Sequence, residues 1–151
     1  MSVAVSVAGI AKPIIEITED WGSSVVNLGL RLYLAVVFFT SGMTKIQSWD
    51  TTLMLFEYEY SVPFLSPSMA AYLGTGAELV LPILLVLGLG GRFAAVALFI
   101  FNMVAVISYP TLNDAGKVWH YLWGLAFVLP ILFGPGQLSV DHILRKKFMR
   151  S

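Results

Sequence analysis

Residues 69–89 read MAAYLGTGAELVLPILLVLGL, and the fold turns on how this stretch is understood. Apart from Glu78 it carries no charge. A helix rises 1.5 Å per residue, so about 20 apolar residues suffice to cross a hydrocarbon core of ~30 Å. Backbone N–H and C=O groups in lipid must be satisfied internally, and the alternation of a membrane β-strand is absent, so the stretch reads as a transmembrane helix. Residues 25–43, 93–109 and 118–134 repeat the pattern. The expected fold class is therefore all-α, an integral membrane four-helix bundle.

Composition agrees with this. The chain has 151 residues, 58% hydrophobic and only 12% charged, with a mean hydropathy of +0.82. A water-soluble domain carries about 25% charged residues. The absence of cysteine removes disulfides, thiolate metal sites and thiol chemistry by the chain itself. With zero net charge and no basic stripe, nucleic acid is not an expected partner. The lipid bilayer is.

Glycines 88, 90 and 91 make a tight antiparallel turn between the second and third spans. Residues 109–117 (YPTLNDAGK) form a polar loop, and Gly134-Pro135-Gly136 stops the last span. Beyond it, Ser139 is placed to cap a short basic helix with Asp141 in its first turn. Three regions follow: 1–24 as a retained leader or interfacial segment, 25–136 as the four-span membrane domain, and 137–151 as a basic C-terminal helix or tail. The connection 49–68 (WDTTLMLFEYEYSVPFLSPS) has Leu53, Phe56 and Tyr60 at helical spacing. It reads as a short helix on the rim, ended by Pro63 and Pro67.

With four spans both termini share one side. Seven Lys and Arg residues fall on that side against Lys45 and Lys117 on the other, which places the N- and C-termini in the cytoplasm by the positive-inside rule. The expected location is the inner (plasma) membrane.

Charges inside spans are expensive, about 2.5–3.5 kcal/mol each at the centre, and mark sites. Glu78 is the acidic residue deepest in a span. Span directions put candidate partners at its depth: Ser41 and Lys45, which share a helix face at i,i+4, then Asn102 in the third span, and His120 with Tyr121 opening the fourth. Glu78 and Lys45 are the candidate proton-handling or ion-paired groups, and Ser41, Asn102, His120 and Tyr121 the candidate binding residues, around one outward-facing pocket. Each also has a structural reading. Lys45 can snorkel, Asn102 can bond two helices together, and His120 beside Trp119 can anchor at the interface. Glu78 can be a protonated structural carboxyl. Arg31 and Arg92 are expected to snorkel to lipid phosphate. The two histidines, His120 and His142, fall on opposite membrane faces, so no metal site is expected.

The order and spacing of several short motifs resemble the DoxX family of small four-helix bacterial membrane proteins. These are Arg31 in the first span, Ser41-Gly42 with Lys45, the run from Glu78 to Arg92 (ELVLPILLVLGLGGR), and the closing Gly134-Pro135-Gly136 with Leu138, Ser139 and Asp141. Residues 45–67 look like one proteobacterial subgroup. The resemblance implies the membrane subunit of a redox or stress-protection system, since some relatives are linked to quinone reduction and others to redox-stress proteins. Most of the aromatic residues, Trp21, Trp49, Trp119, Tyr109 and Tyr121 among them, read as belts at the membrane interfaces. Aromatic residues beside an intramembrane carboxylate would also suit a quinone-like ring, so the cofactor is left unassigned with quinone as one option. No self-contained catalytic motif is present, and an accessory subunit of a quinone-linked oxidoreductase is the enzyme-related expectation. The alternative is a non-enzymatic membrane scaffold or small-molecule conduit, docking a periplasmic partner or a second membrane protein through residues 49–68.

Overall fold

A computed structural model describes residues 22–148. Most of the 1–24 leader and the end of the basic tail lie outside the described residues. Within them the chain is helical and contains no strand. Four long helices, α1 (Ser23–Gln47), α3 (Pro67–Leu87), α4 (Gly91–Ser108) and α5 (Asp114–Phe133), are each long and apolar enough to cross a membrane. Two short ones mark the ends of the bundle: α2 (Trp49–Tyr58) at one, α6 (Val140–Phe148) at the other.

Local chemistry sets the boundaries. The Ser66 side chain accepts from the Met69 N–H and Pro67 takes the first turn of α3, where a missing N–H costs nothing. Gly88 ends α3 in the left-handed region at φ 64°, a conformation that favours glycine. Asn113 caps α5 by accepting from Gly116 N–H at 2.7 Å. Ser139 accepts from His142 N–H at 3.2 Å, which is the expected cap of α6.

The prolines of the rim behave differently from expectation. Helix α2 stops at Tyr58, well before Pro63, and Pro67 opens α3 instead of closing α2. The reason is that proline is compatible with a helix start and not with its interior.

The spans close a ring in which α1 packs on α3, α3 on α4, α4 on α5, and α5 back on α1. Leu34, Phe38, Leu85, Leu98 and Phe127 fill its centre, with the Phe38 ring against Phe101, Trp123 and Phe127. Outside, Leu125, Ile107, Phe93 and Phe133 are largely exposed. Leaving such side chains in water would forfeit about 1.5–3 kcal/mol each, so the surface is one made for lipid. Lipid also removes the hydrophobic drive for helix association, leaving close packing to hold the spans together. Gly42 shows this. A Cβ there would lie 3.0 Å from the Glu78 Cβ and 3.0 Å from Leu79, so its absence lets α1 and α3 approach at the level of the carboxylate.

Arg31 corrects the snorkelling expectation. It is fully buried and donates to Asn27 Oδ1 (3.1 Å), to the α3 carbonyls of Leu85 (3.1 Å) and Val86 (2.9 Å), and to Leu138 O (2.6 Å). The last carbonyls of a helix lack intrahelical partners and carry its negative dipole end, so a buried guanidinium finds there the acceptors it would otherwise seek in lipid phosphate. Arg92 likewise donates to a helix-end carbonyl, Leu132 O, at 3.2 Å.

Candidate functional site

Two positions one turn apart on α1 present Ser41 and Lys45 to the middle of α3, where Glu78 sits. The Lys45 ammonium donates to Glu78 Oε1 at 2.8 Å and to Ser41 Oγ at 2.9 Å, and Ser41 Oγ donates to the same Oε1 at 3.0 Å. Oε2 lies 2.7 Å from Nζ, held by charge and not by an aligned hydrogen bond. Side-chain exposure is 19% for Lys45 and 6% for Glu78, so the pair is well shielded and asymmetric. Lys45, Ser41 and Glu78 Oε1 form a closed triangle of hydrogen bonds, and the ammonium beside Oε2 supplies the charge partner that a buried carboxylate requires.

The triangle lines a cavity of about 370 Å³. Phe56 and Tyr60 border it from α2 and the segment after it, and Phe101, Ser108 and Tyr109 from α4 and its end. The Ser108 hydroxyl is buried and has no protein partner among the described residues. Burial, then Tyr109, Glu59 and Glu78 in that order, push the Tyr60 phenol above its ordinary value, so it stays a neutral hydroxyl at physiological pH.

His120 lines the same cavity from α5. The fully buried Asn102 holds it: Asn102 Nδ2 donates to the His120 carbonyl at 2.8 Å, which turns Oδ1 toward the ring at 2.7 Å from Nδ1. An amide oxygen only accepts, so Nδ1 of the neutral ring carries the proton and Nε2 keeps a lone pair. Asn102 itself does not line the cavity.

Helix α2 and the segment after it are strapped across this end at three points. Thr52 Oγ1 donates to Lys45 O at 3.0 Å, Ser61 N–H to Ser108 O at 2.8 Å, and Tyr109 OH to Glu59 Oε2 at 3.1 Å.

The DoxX family pattern matches residues 26–110, more than half of the chain. The chain belongs to the DoxX family. An uncharacterized protein of Haemophilus influenzae is 30% identical to it, over 84% of this chain and 88% of its own length. No solved structure matches the chain. The DoxX match contains Ser41, Lys45, Glu78 and Asn102, and ends before α5 brings in His120.

Among the sequence candidates, the fold gathers Ser41, Lys45, Glu78 and His120 around one cavity, with Asn102 behind His120. Tyr121 is 57% exposed and stands away from the cavity. Neighbouring residues on a helix point about 100° apart, so His120 and Tyr121 cannot share a face. Ser108 and Tyr60 also line the cavity and are not among the sequence candidates. Tyr60 carried a signal in its spacing from Phe56, whereas Ser108, at the last turn of a span, carried none.

Proposed function

We propose that this DoxX protein is the membrane subunit of a redox or stress-protection system, and that the cavity beside Glu78 takes a small amphipathic ring such as a quinone headgroup. The observation that carries this reading is a buried carboxylate–ammonium pair, one carboxylate oxygen of which has no hydrogen-bond partner, opening on a cavity with aromatic walls. A volume of about 370 Å³ falls within the roughly 300–1,000 Å³ of small-molecule sites. Lys45 is a donor for a ring carbonyl, and Ser108 Oγ and His120 Nε2 offer further hydrogen bonds. A bound quinone would supply two-electron carrier chemistry. The chain's own part is to hold the ring, to exclude water, and to keep a proton at the Glu78–Lys45 pair. The split of Lys and Arg residues supports an inner-membrane orientation with both termini cytoplasmic and the cavity near the outer face.

The test is extraction of quinone from protein purified in mild detergent. Wild type is expected to retain about one quinone per chain and Glu78→Gln markedly less. Absence of quinone from wild type, together with unchanged cellular stress resistance in Glu78→Gln, overturns the reading.

A second reading has its own observation. Phe64 is fully exposed with a left-handed backbone at φ 65°, and Tyr58, in the same rim segment, is 81% exposed. Aromatic side chains displayed this way suit a scaffold that docks a periplasmic or membrane partner through residues 49–68. A partner that co-purifies with wild type and is lost in Tyr58→Ser with Phe64→Ser, without any chromophore, would favour it.

A further inference from the structure

The opposite end of the bundle holds a second cavity, of about 320 Å³, which lies outside the function proposed above. It is enclosed by the start of α1, the turn after α5 and the start of α6. Arg92, Arg145 and His142 line it with Gln137, Ser139 and Asp141. Asp141 is the acidic member, and both its oxygens are occupied: Oδ1 accepts from Gly90 N–H and Oδ2 from Gly91 N–H, each at 2.9 Å. Its charge is thereby committed to the first amides of α4. The arginines have no such partner. Arg92 donates a single bond, to Leu132 O, and neither Arg92 nor Arg145 has an ion pair among the described residues.

The depth of this cavity is also defined. It adjoins Phe133 and Gly134, where the last span ends. Alongside it, α6 exposes Ile143, Leu144 and Phe148 together with Arg145, Lys146 and Lys147, the apolar and basic mixture of a helix that lies in a membrane interface. A cavity lined by two arginines is therefore held at headgroup level, and a guanidinium matches the oxygens of a phosphate with two parallel hydrogen bonds.

We propose that this cavity binds the phosphate of an anionic phospholipid headgroup. Arg92 and Arg145 hold the phosphate oxygens, and Gln137 and His142 offer polar contacts to the remainder of the headgroup. The shared chemistry is a phosphate oxyanion, which free phosphate also presents, so the experiment separates the two sources.

The full chain, purified in detergent, is titrated with dioleoyl phosphatidylglycerol, dioleoyl phosphatidylcholine or sodium phosphate, and read by native mass spectrometry and melting temperature. One phosphatidylglycerol is expected to stay bound per chain, in preference to phosphatidylcholine, and to raise the melting temperature. Arg92→Gln and Arg145→Gln should each weaken this about tenfold or more, the loss of a direct charge-assisted hydrogen bond to phosphate. Lys146→Gln and Lys147→Gln, outside the cavity lining, remove one interfacial charge without a direct contact and should weaken it no more than about fivefold. Arg145 is exposed on a terminal helix, so its variant keeps the test open if Arg92→Gln fails to fold. Equal retention of the two lipids overturns the proposal, as does equal loss in the lysine variants. Displacement of all phosphatidylglycerol by millimolar phosphate assigns the cavity to the free ion and overturns the lipid source.

Discussion

Lys45 and Glu78, 33 positions apart in sequence, meet with the ammonium spanning both carboxylate oxygens at 2.8 and 2.7 Å. The two partners differ in what they can do alone. Lys45 has a flexible stem and residual exposure, whereas Glu78 is fixed in the middle of α3 and closed in by Gly42 and Leu79.

Loss of one partner should therefore be asymmetric. Lys45→Met strands a buried carboxylate, at a cost of about 3–5 kcal/mol. Glu78→Gln should cost less, because Lys45 can turn outward and the amide still accepts from Ser41. Lys45→Met combined with Glu78→Leu should recover most of the loss. Unfolding of the detergent-solubilised protein in denaturant measures all three, and equal losses for the two single variants would contradict the geometry.

The Asn102–His120 pair makes a spectroscopic prediction. With Oδ1 of Asn102 accepting, the neutral His120 ring should be the Nδ1–H tautomer, which the ¹⁵N shifts of labelled histidine report directly. Asn102→Ala should remove that preference and cost about 1–2 kcal/mol, the scale of interhelical side-chain bonds in membranes. An Nε2–H ring in the wild type would show the amide to be turned the other way.

Arg31 should tolerate neither a neutral nor a conservative replacement. Arg31→Met removes the charged donor from the carbonyls of Val86 and Leu138 and leaves Leu85 O only the Gly88 N–H at 3.2 Å, and hydrogen bonds to charged groups contribute about 1.5–3 kcal/mol each. Arg31→Lys retains charge but not the planar fork, and should recover less than half of the loss. Melting temperature and yield of folded protein distinguish the cases.

The absence of cysteine offers a direct check on orientation. Single cysteines at the exposed Thr51 and Lys146 should label from opposite sides of intact cells, Thr51→Cys with an impermeant reagent and Lys146→Cys after permeabilisation only. Reversed accessibility would invert the proposed topology and place the cavity toward the cytoplasm.

The spans were legible because hydropathy is a property of each segment alone, and Glu78, Ser41 and Lys45 because depth and i,i+4 spacing follow from helix geometry. Arg31 was misread for a different reason. Its acceptors are backbone carbonyls at the ends of other elements, and no side-chain type in the sequence marks them. Asp141 was visible as a first-turn acid of α6, but the amides that it engages belong to Gly90 and Gly91 of the neighbouring helix. Tyr121 had the right depth without the right rotation. Depth is read from position in the chain, whereas rotation about a helix axis is set by the partners the helix packs on.

The bonds of Asn27 to Gly134 O at 3.0 Å and of Arg31 to Leu138 O at 2.6 Å bear on biogenesis. Each joins the start of the first span to residues made after the last, across 107 positions of chain. As the nascent protein enters the bilayer, Lys45 and Glu78 can neutralise each other once the second span has emerged. Arg31 can engage Asn27, Leu85 and Val86 at that same stage, but its shortest bond waits for Leu138, after the fourth span. Chains truncated before Leu138 would keep the guanidinium on Asn27, Leu85 and Val86 but lose the contact that ties the first span to the segment after the last.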